Sequence, residues 1–195
     1  MEDFSLYFQL GMEHILDWEG YDHILFVAVL CGIYLLRDWR QVVILVTAFT
    51  VGHSITLALS VLDWIRVPTD LIEFLIPVTI LITAAANIAN RTFSTATLRL
   101  TYGLALLFGL IHGLGFSNYL KSLLGHSTNV TTELMAFNVG LEVGQLLIVA
   151  SVLLLSYVVV QVLRAPRREW NLFLSSAVFG IAFVMAAERM VELWG

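Results

Sequence analysis

Six apolar stretches dominate the chain, at about residues 21–36, 42–62, 71–90, 98–117, 134–163 and 171–193, with short polar connections between them. Each is near the roughly 17–25 residues that a helix needs to span a bilayer. The first is short for a span, and the fifth is long enough to tilt or project from the membrane. Ahead of them, Phe4, Phe8, Met12 and Ile15 recur at helical spacing. They predict a short amphipathic helix that Asp3 could cap. The first residues carry no positive n-region and no Ala-x-Ala pattern, so they do not read as a signal peptide. The longest connection, about 118–133, holds His126 in a Ser/Thr/Asn context, which reads as a solvated loop. No internal repeat is apparent. The pattern predicts an all-α, polytopic membrane protein: one transmembrane domain over 1–195, with about six transmembrane helices and a short N-terminal amphipathic helix.

Composition agrees. Hydrophobic residues make up 59% and charged residues 13%, against roughly 45–50% and 25% in soluble domains. A soluble fold of this size could not bury so much apolar surface. Trp18, Tyr21, Trp39, Trp64, Trp170 and Trp194 fall near segment ends, as interfacial anchors do. Ten Lys and Arg against 15 Asp and Glu leave a net charge of −5 with no basic stripe, which excludes a nucleic-acid partner. Arg37, Arg40, Arg91, Arg99, Arg164, Arg167 and Arg168 lie in the first, third and fifth connections; Arg66, Lys121 and Arg189 lie elsewhere. By the positive-inside rule the odd connections face the cytoplasm and both termini are extracytoplasmic. The partners expected are the lipid bilayer, and a second copy or other membrane subunits. Cys31 is the only cysteine, so neither an internal disulfide nor a Cys-based metal site is available.

Polar groups inside the apolar segments carry the functional signal. A charge in a spanning helix costs roughly 2.5–3.5 kcal/mol on insertion scales, and such groups usually face a bundle interior or a water-filled path. Here they are Asp22, His23, His53, Glu73, His112, Glu142 and Glu188, with Asn87, Asn138 and Gln145 adding neutral polarity. With the orientation above, all six segments place an ionisable group in the outer half or near the midplane. Asn138, Glu142 and Gln145 share one helical face. Gly140 and Gly144 form a G-x-x-x-G beside it, which allows close helix approach. Thr50 is one turn before His53 and could orient its imidazole. Glu73 could instead pair with Arg66, and Glu188 with Arg189. The N-terminal 36 residues hold six acids and no Lys or Arg, which would concentrate cations outside. Imidazole with carboxylate suits Ni²⁺, Co²⁺ and Zn²⁺. The set could hold one ion with supporting groups around it, or two ions in sequence.

The chain resembles the HupE/UreJ family. The resemblance rests on His14 followed by Asp22-His23, on Thr47-Ala48-Phe49-Thr50-Val51-Gly52-His53-Ser54, on the run FGLIHGLGF at 108–116, and on Phe137-Asn138-Val139-Gly140 with Glu142 and Gln145. The G-L-I-H-G-L-G-F motif points to one branch of it. The resemblance implies a small multi-pass protein of the bacterial inner membrane that takes up nickel or cobalt for hydrogenase or urease assembly. Two departures stand out. Seven residues separate His14 from Asp22 where the better-studied branch has five, and of that branch's F-H-G-x-x-H-G-x-E motif only His112 matches. Phe116 falls near the place of the Glu, for which Glu142 could substitute in space.

The leading expectation is a divalent-metal permease. His14, Asp22 and His23 would collect the ion, His53, His112 and Glu142 would hold it deeper, and Thr50, Glu73, Asn138, Gln145 and Glu188 would support these ligands. No nucleotide-binding loop is present, so uptake would be facilitated or ion-coupled. A clear inward path is missing, Asn87 excepted. That gap leaves room for an intramembrane zinc hydrolase with Asp22 or Glu142 as general base, acting on a lipid, ester or peptide bond near the outer leaflet. A non-catalytic metal-binding subunit is the third reading.

Overall fold

The computed structural model describes residues 2–89, 95–124 and 129–194, and contains no strand among them. Arg91 and His126 fall in the segments 90–94 and 125–128, which lie outside the described residues. The helices are α1 (Glu2–Leu16), α2 (Asp22–Cys31), α3 (Trp39–Val61), α4 (Thr69–Ala89), α5 (Thr95–Gly115), α6 (Ser117–Leu124), α7 (Val130–Tyr157) and α8 (Arg167–Trp194). A 3-10 turn at Leu36–Asp38 leads into α3, and a π-turn at Val158–Val162 extends α7.

Local chemistry sets the boundaries. Pro68 and Pro166 stand just before α4 and α8, and their carbonyls accept from Ile72 and Trp170; a proline's fixed φ and missing N–H suit a helix start. Asp63 and Arg164 adopt the left-handed conformation (φ 61° and 58°) that terminates α3 and the π-turn, and the N–H groups just past them bond back to Leu59 and Val159. Hydroxyls within the helices are satisfied locally: Ser54 and Thr83 donate to the carbonyls of Thr50 and Thr79.

Four helical segments are long and apolar enough to cross a membrane: 36–61, 69–89, 130–162 and 167–194. The pair α5 and α6, bent by 50°, makes a fifth candidate. The expected span at 21–36 is corrected: its helix, α2, has ten residues, about 15 Å at 1.5 Å per residue, half of a roughly 30 Å hydrocarbon core. The chain turns at Gly32 and Ile33, but the side chains stay apolar, so hydropathy alone runs through the break.

Packing is organised in pairs. α4 and α8 run antiparallel, joined by Glu73–Arg189 at one end and by Arg168 and Asn171 on the carbonyls of Asn87 and Ile88 at the other. At that second end Arg167 reaches the Ile33 carbonyl (2.5 Å), and Asn87 donates to the Val29 carbonyl (2.7 Å). Asn87 therefore fastens α2 to α4. Trp170, expected at an interface, is buried and donates to Ser156; Trp18, Trp39, Trp64 and Trp194 are exposed.

Two further pairs are fastened by glycine, and their contacts match. In α1/α7, a Cβ at Gly11 would strike the Phe137 carbonyl, one at Gly140 the Phe8 carbonyl, and one at Gly144 the Ile15 side chain beside the Met12 carbonyl. In α3/α5, a Cβ at Gly52 would strike the Leu106 carbonyl, one at Gly109 the Phe49 carbonyl, and one at Gly113 the His53 carbonyl. Phe8/Gly11 with Gly140/Gly144 thus corresponds to Phe49/Gly52 with Gly109/Gly113, and in both pairs the helices run in the same sense. α3 and α7, which join the pairs, run oppositely: Asp38 at the start of α3 meets Arg167 just beyond the end of α7. One building block is used twice with opposed directions.

Candidate metal centre

Four imidazoles converge where the two glycine-fastened pairs and α2 meet. His14 comes from the last turn of α1, His23 from the first turn of α2, His53 from α3 and His112 from the end of α5. One ring nitrogen from each of His14, His23 and His53 lies within 4.8 Å of the others. The His14 and His23 rings are 4.7 Å apart, and His112 extends the group at 5.2 Å from His23. Glycine makes this approach possible: Gly113 sits on the His53 carbonyl, so α5 lies close enough to α3 to bring His112 beside His53.

Hydrogen bonds decide which ring nitrogens keep a lone pair. His112 Nδ1 lies 2.8 Å from the Phe108 carbonyl. A carbonyl only accepts, so Nδ1 carries the proton and Nε2 presents a lone pair. His23 Nδ1 lies 3.1 Å from Asp22 Oδ1, which also accepts from the His23 backbone N–H at 2.9 Å. That is the carboxylate–histidine arrangement which orients metal-binding imidazoles. The Nε2 atoms of His14, His23, His53 and His112 are buried without a hydrogen-bond partner, as is Nδ1 of His53. His53 is wholly inaccessible. Leaving buried nitrogens unpaired is costly, and a cation coordinated by one nitrogen from each of His14, His23 and His53 would satisfy three of them.

The surroundings are aromatic and acidic. Phe116 packs against His14 with its ring tilted by 35° and 3.8 Å between centroids, and Phe26 and Phe49 flank His112. A cavity of about 300 Å³ reaches the imidazoles, lined also by Asp17, Gly20, Asp22, Glu73, Phe116 and Arg189. Of these, only Asp22 and Glu73 are among the site groups expected from sequence. Arg189 was readable only as a partner for Glu188; instead it pairs with Glu73 at 2.8 Å, and Arg66 pairs with Asp63.

The remaining predicted residues lie elsewhere. Glu142, Asn138 and Thr50 line a crevice of about 680 Å³ between α3 and α7. Thr47 donates to Glu142 and Thr50 to Gln145, each at 2.6 Å. None of these four lines the imidazole cavity. Asn138 Oδ1 and Gln145 Nε2 are buried there without partners. Glu188 is exposed and lines neither space.

Searches of curated proteins and of solved structures find no match. A family model described as HupE / UreJ protein matches residues 1–192. The match takes in all four helices that carry the imidazoles as well as α7 and nearly all of α8, and the chain belongs to the HupE/UreJ family.

Proposed function

We propose that the protein is a permease for a divalent transition metal, nickel or cobalt, in the bacterial inner membrane. The observation that carries this reading is the convergence of four imidazoles whose buried Nε2 atoms have no protein partner. Nitrogen donors without cysteine favour Ni²⁺, Co²⁺ or Zn²⁺ over Mg²⁺, Ca²⁺ or Cu⁺. We place the end bearing Arg37, Arg40, Arg164, Arg167 and Arg168 in the cytoplasm, with α2 as the inner half of the first of six crossings and both termini outside. The ion is collected by His14, Asp22 and His23 and held by His53 and His112. Glu142, with Asn138 and Gln145, forms a second station along α3. Thr50 and Thr47 lie one and two turns from His53 toward the cytoplasmic end, so this station supplies the inward step that the imidazole cavity lacks. The two opposed helix pairs support alternating exposure by rocking of one pair against the other, as bundles do in secondary transporters.

The test is uptake of Ni²⁺, Co²⁺ and Zn²⁺ into liposomes containing the purified protein. Uptake reduced at least about tenfold by His23→Ala is the expected result. Tight, stoichiometric zinc without flux would favour a zinc hydrolase instead.

A further inference from the structure

Arg189 is out of place in a pocket built for cations. It lines the imidazole cavity together with His14, His23 and His112. It also lines a neighbouring cavity of about 120 Å³ that opens toward the exposed Glu19 and Tyr21. Gly20, Asp22, Glu73, Ile76 and Arg189 belong to both, so the Glu73–Arg189 pair is shared by the imidazole cavity and its neighbour. Arg189 Nη1 is 2.8 Å from Glu73 Oε2 and 2.8 Å from Glu192 Oε2. Its side chain is 44% exposed and that of Glu73 37%. Ion pairs this exposed contribute little to stability, so the pair's place on the cavity wall has a reason beyond joining α8 to α4.

We propose that Arg189 is a resident cation that sets the specificity of the metal site, neutralising Glu73 while the cavity is empty and yielding it to an incoming divalent ion. A monovalent ion or a weakly coordinated Mg²⁺ or Ca²⁺ gains too little from the imidazoles to offset repulsion by the guanidinium, whereas Ni²⁺ or Co²⁺ recovers it through nitrogen ligation. This rests on the metal-binding reading above.

The experiment is isothermal titration of the purified full-length protein with Ni²⁺, alone and against excess Mg²⁺. Removing a positive charge beside a cation site tightens binding, whereas structural damage weakens it, so the sign is diagnostic. Arg189→Gln is expected to tighten Ni²⁺ binding roughly tenfold and to let Mg²⁺ compete, and Arg189→Lys to restore wild-type selectivity. Glu73→Gln, which keeps the guanidinium but removes its partner, is expected to weaken Ni²⁺ binding, and Glu73→Gln/Arg189→Gln to return it toward wild type. Arg189→Gln binding nickel no more tightly than wild type overturns the proposal. So does Glu73→Gln with wild-type affinity, which decides the matter if Arg189→Gln does not fold. Wild-type protein that binds no nickel would sink the permease reading itself.

Discussion

His23 and His112 have their protonated nitrogens fixed by different acceptors, a carboxylate and a main-chain carbonyl. Only the first can be removed by substitution without touching the backbone. Asp22→Asn keeps the size of the side chain but removes the charge that fixes the His23 tautomer. It should weaken divalent-metal affinity by about 10–100-fold, measured by competition with a calibrated chelator; an unchanged affinity would separate Asp22 from the site. His23, His53 and His112 are legible in the sequence because an imidazole in an apolar span marks a bundle interior or a water-filled path, whereas His14, ahead of the spans, enters through the family resemblance. Arg189 is not legible, because it falls in the last turns of α8, where an arginine reads as an interfacial residue, and its partner Glu73 belongs to a distant helix.

At the level of elements, the bundle depends on backbone meeting backbone where glycine removes the Cβ. Gly140→Ala and Gly109→Ala should each cost about 1–3 kcal/mol by forcing helices apart, read as a lowered Tm in detergent. A Cβ at Gly180 meets nothing within 4 Å, so Gly180→Ala should be neutral or slightly stabilising. The G-x-x-x-G at Gly140 and Gly144 was visible in sequence, but α1, the helix it receives, reads as an amphipathic surface segment. The matching of α1 with α3 rests on too few residues to register as a repeat. α2 was overextended because Ile33, Tyr34 and Leu35 remain apolar after the helix has ended.

Across the whole molecule, acids and imidazoles gather toward one end and arginine toward the other. The described Arg37, Arg40, Arg164, Arg167 and Arg168 mark the second end, and Arg167 and Arg168 also hold helix ends there through main-chain carbonyls. Imidazoles must be deprotonated to bind a cation, so apparent metal affinity should fall as pH drops from about 7.5 to 5.5, with proton release on binding measurable by titration in buffers of different ionisation enthalpy. Sequence separated this polarity cleanly, since it depends on composition by segment. It merged the imidazole cavity with the Glu142 crevice, because segment depth does not say on which side of α3 a side chain lies. The central claim is that buried imidazoles from four helices grip one divalent ion. It is tested most directly by metal content, by mass spectrometry, of purified protein loaded with Ni²⁺ and then dialysed. About one equivalent per chain in wild type, lost in His53→Ala with the fold intact by circular dichroism, is the predicted result; wild-type protein with no bound metal, or His53→Ala retaining a full equivalent, would contradict it.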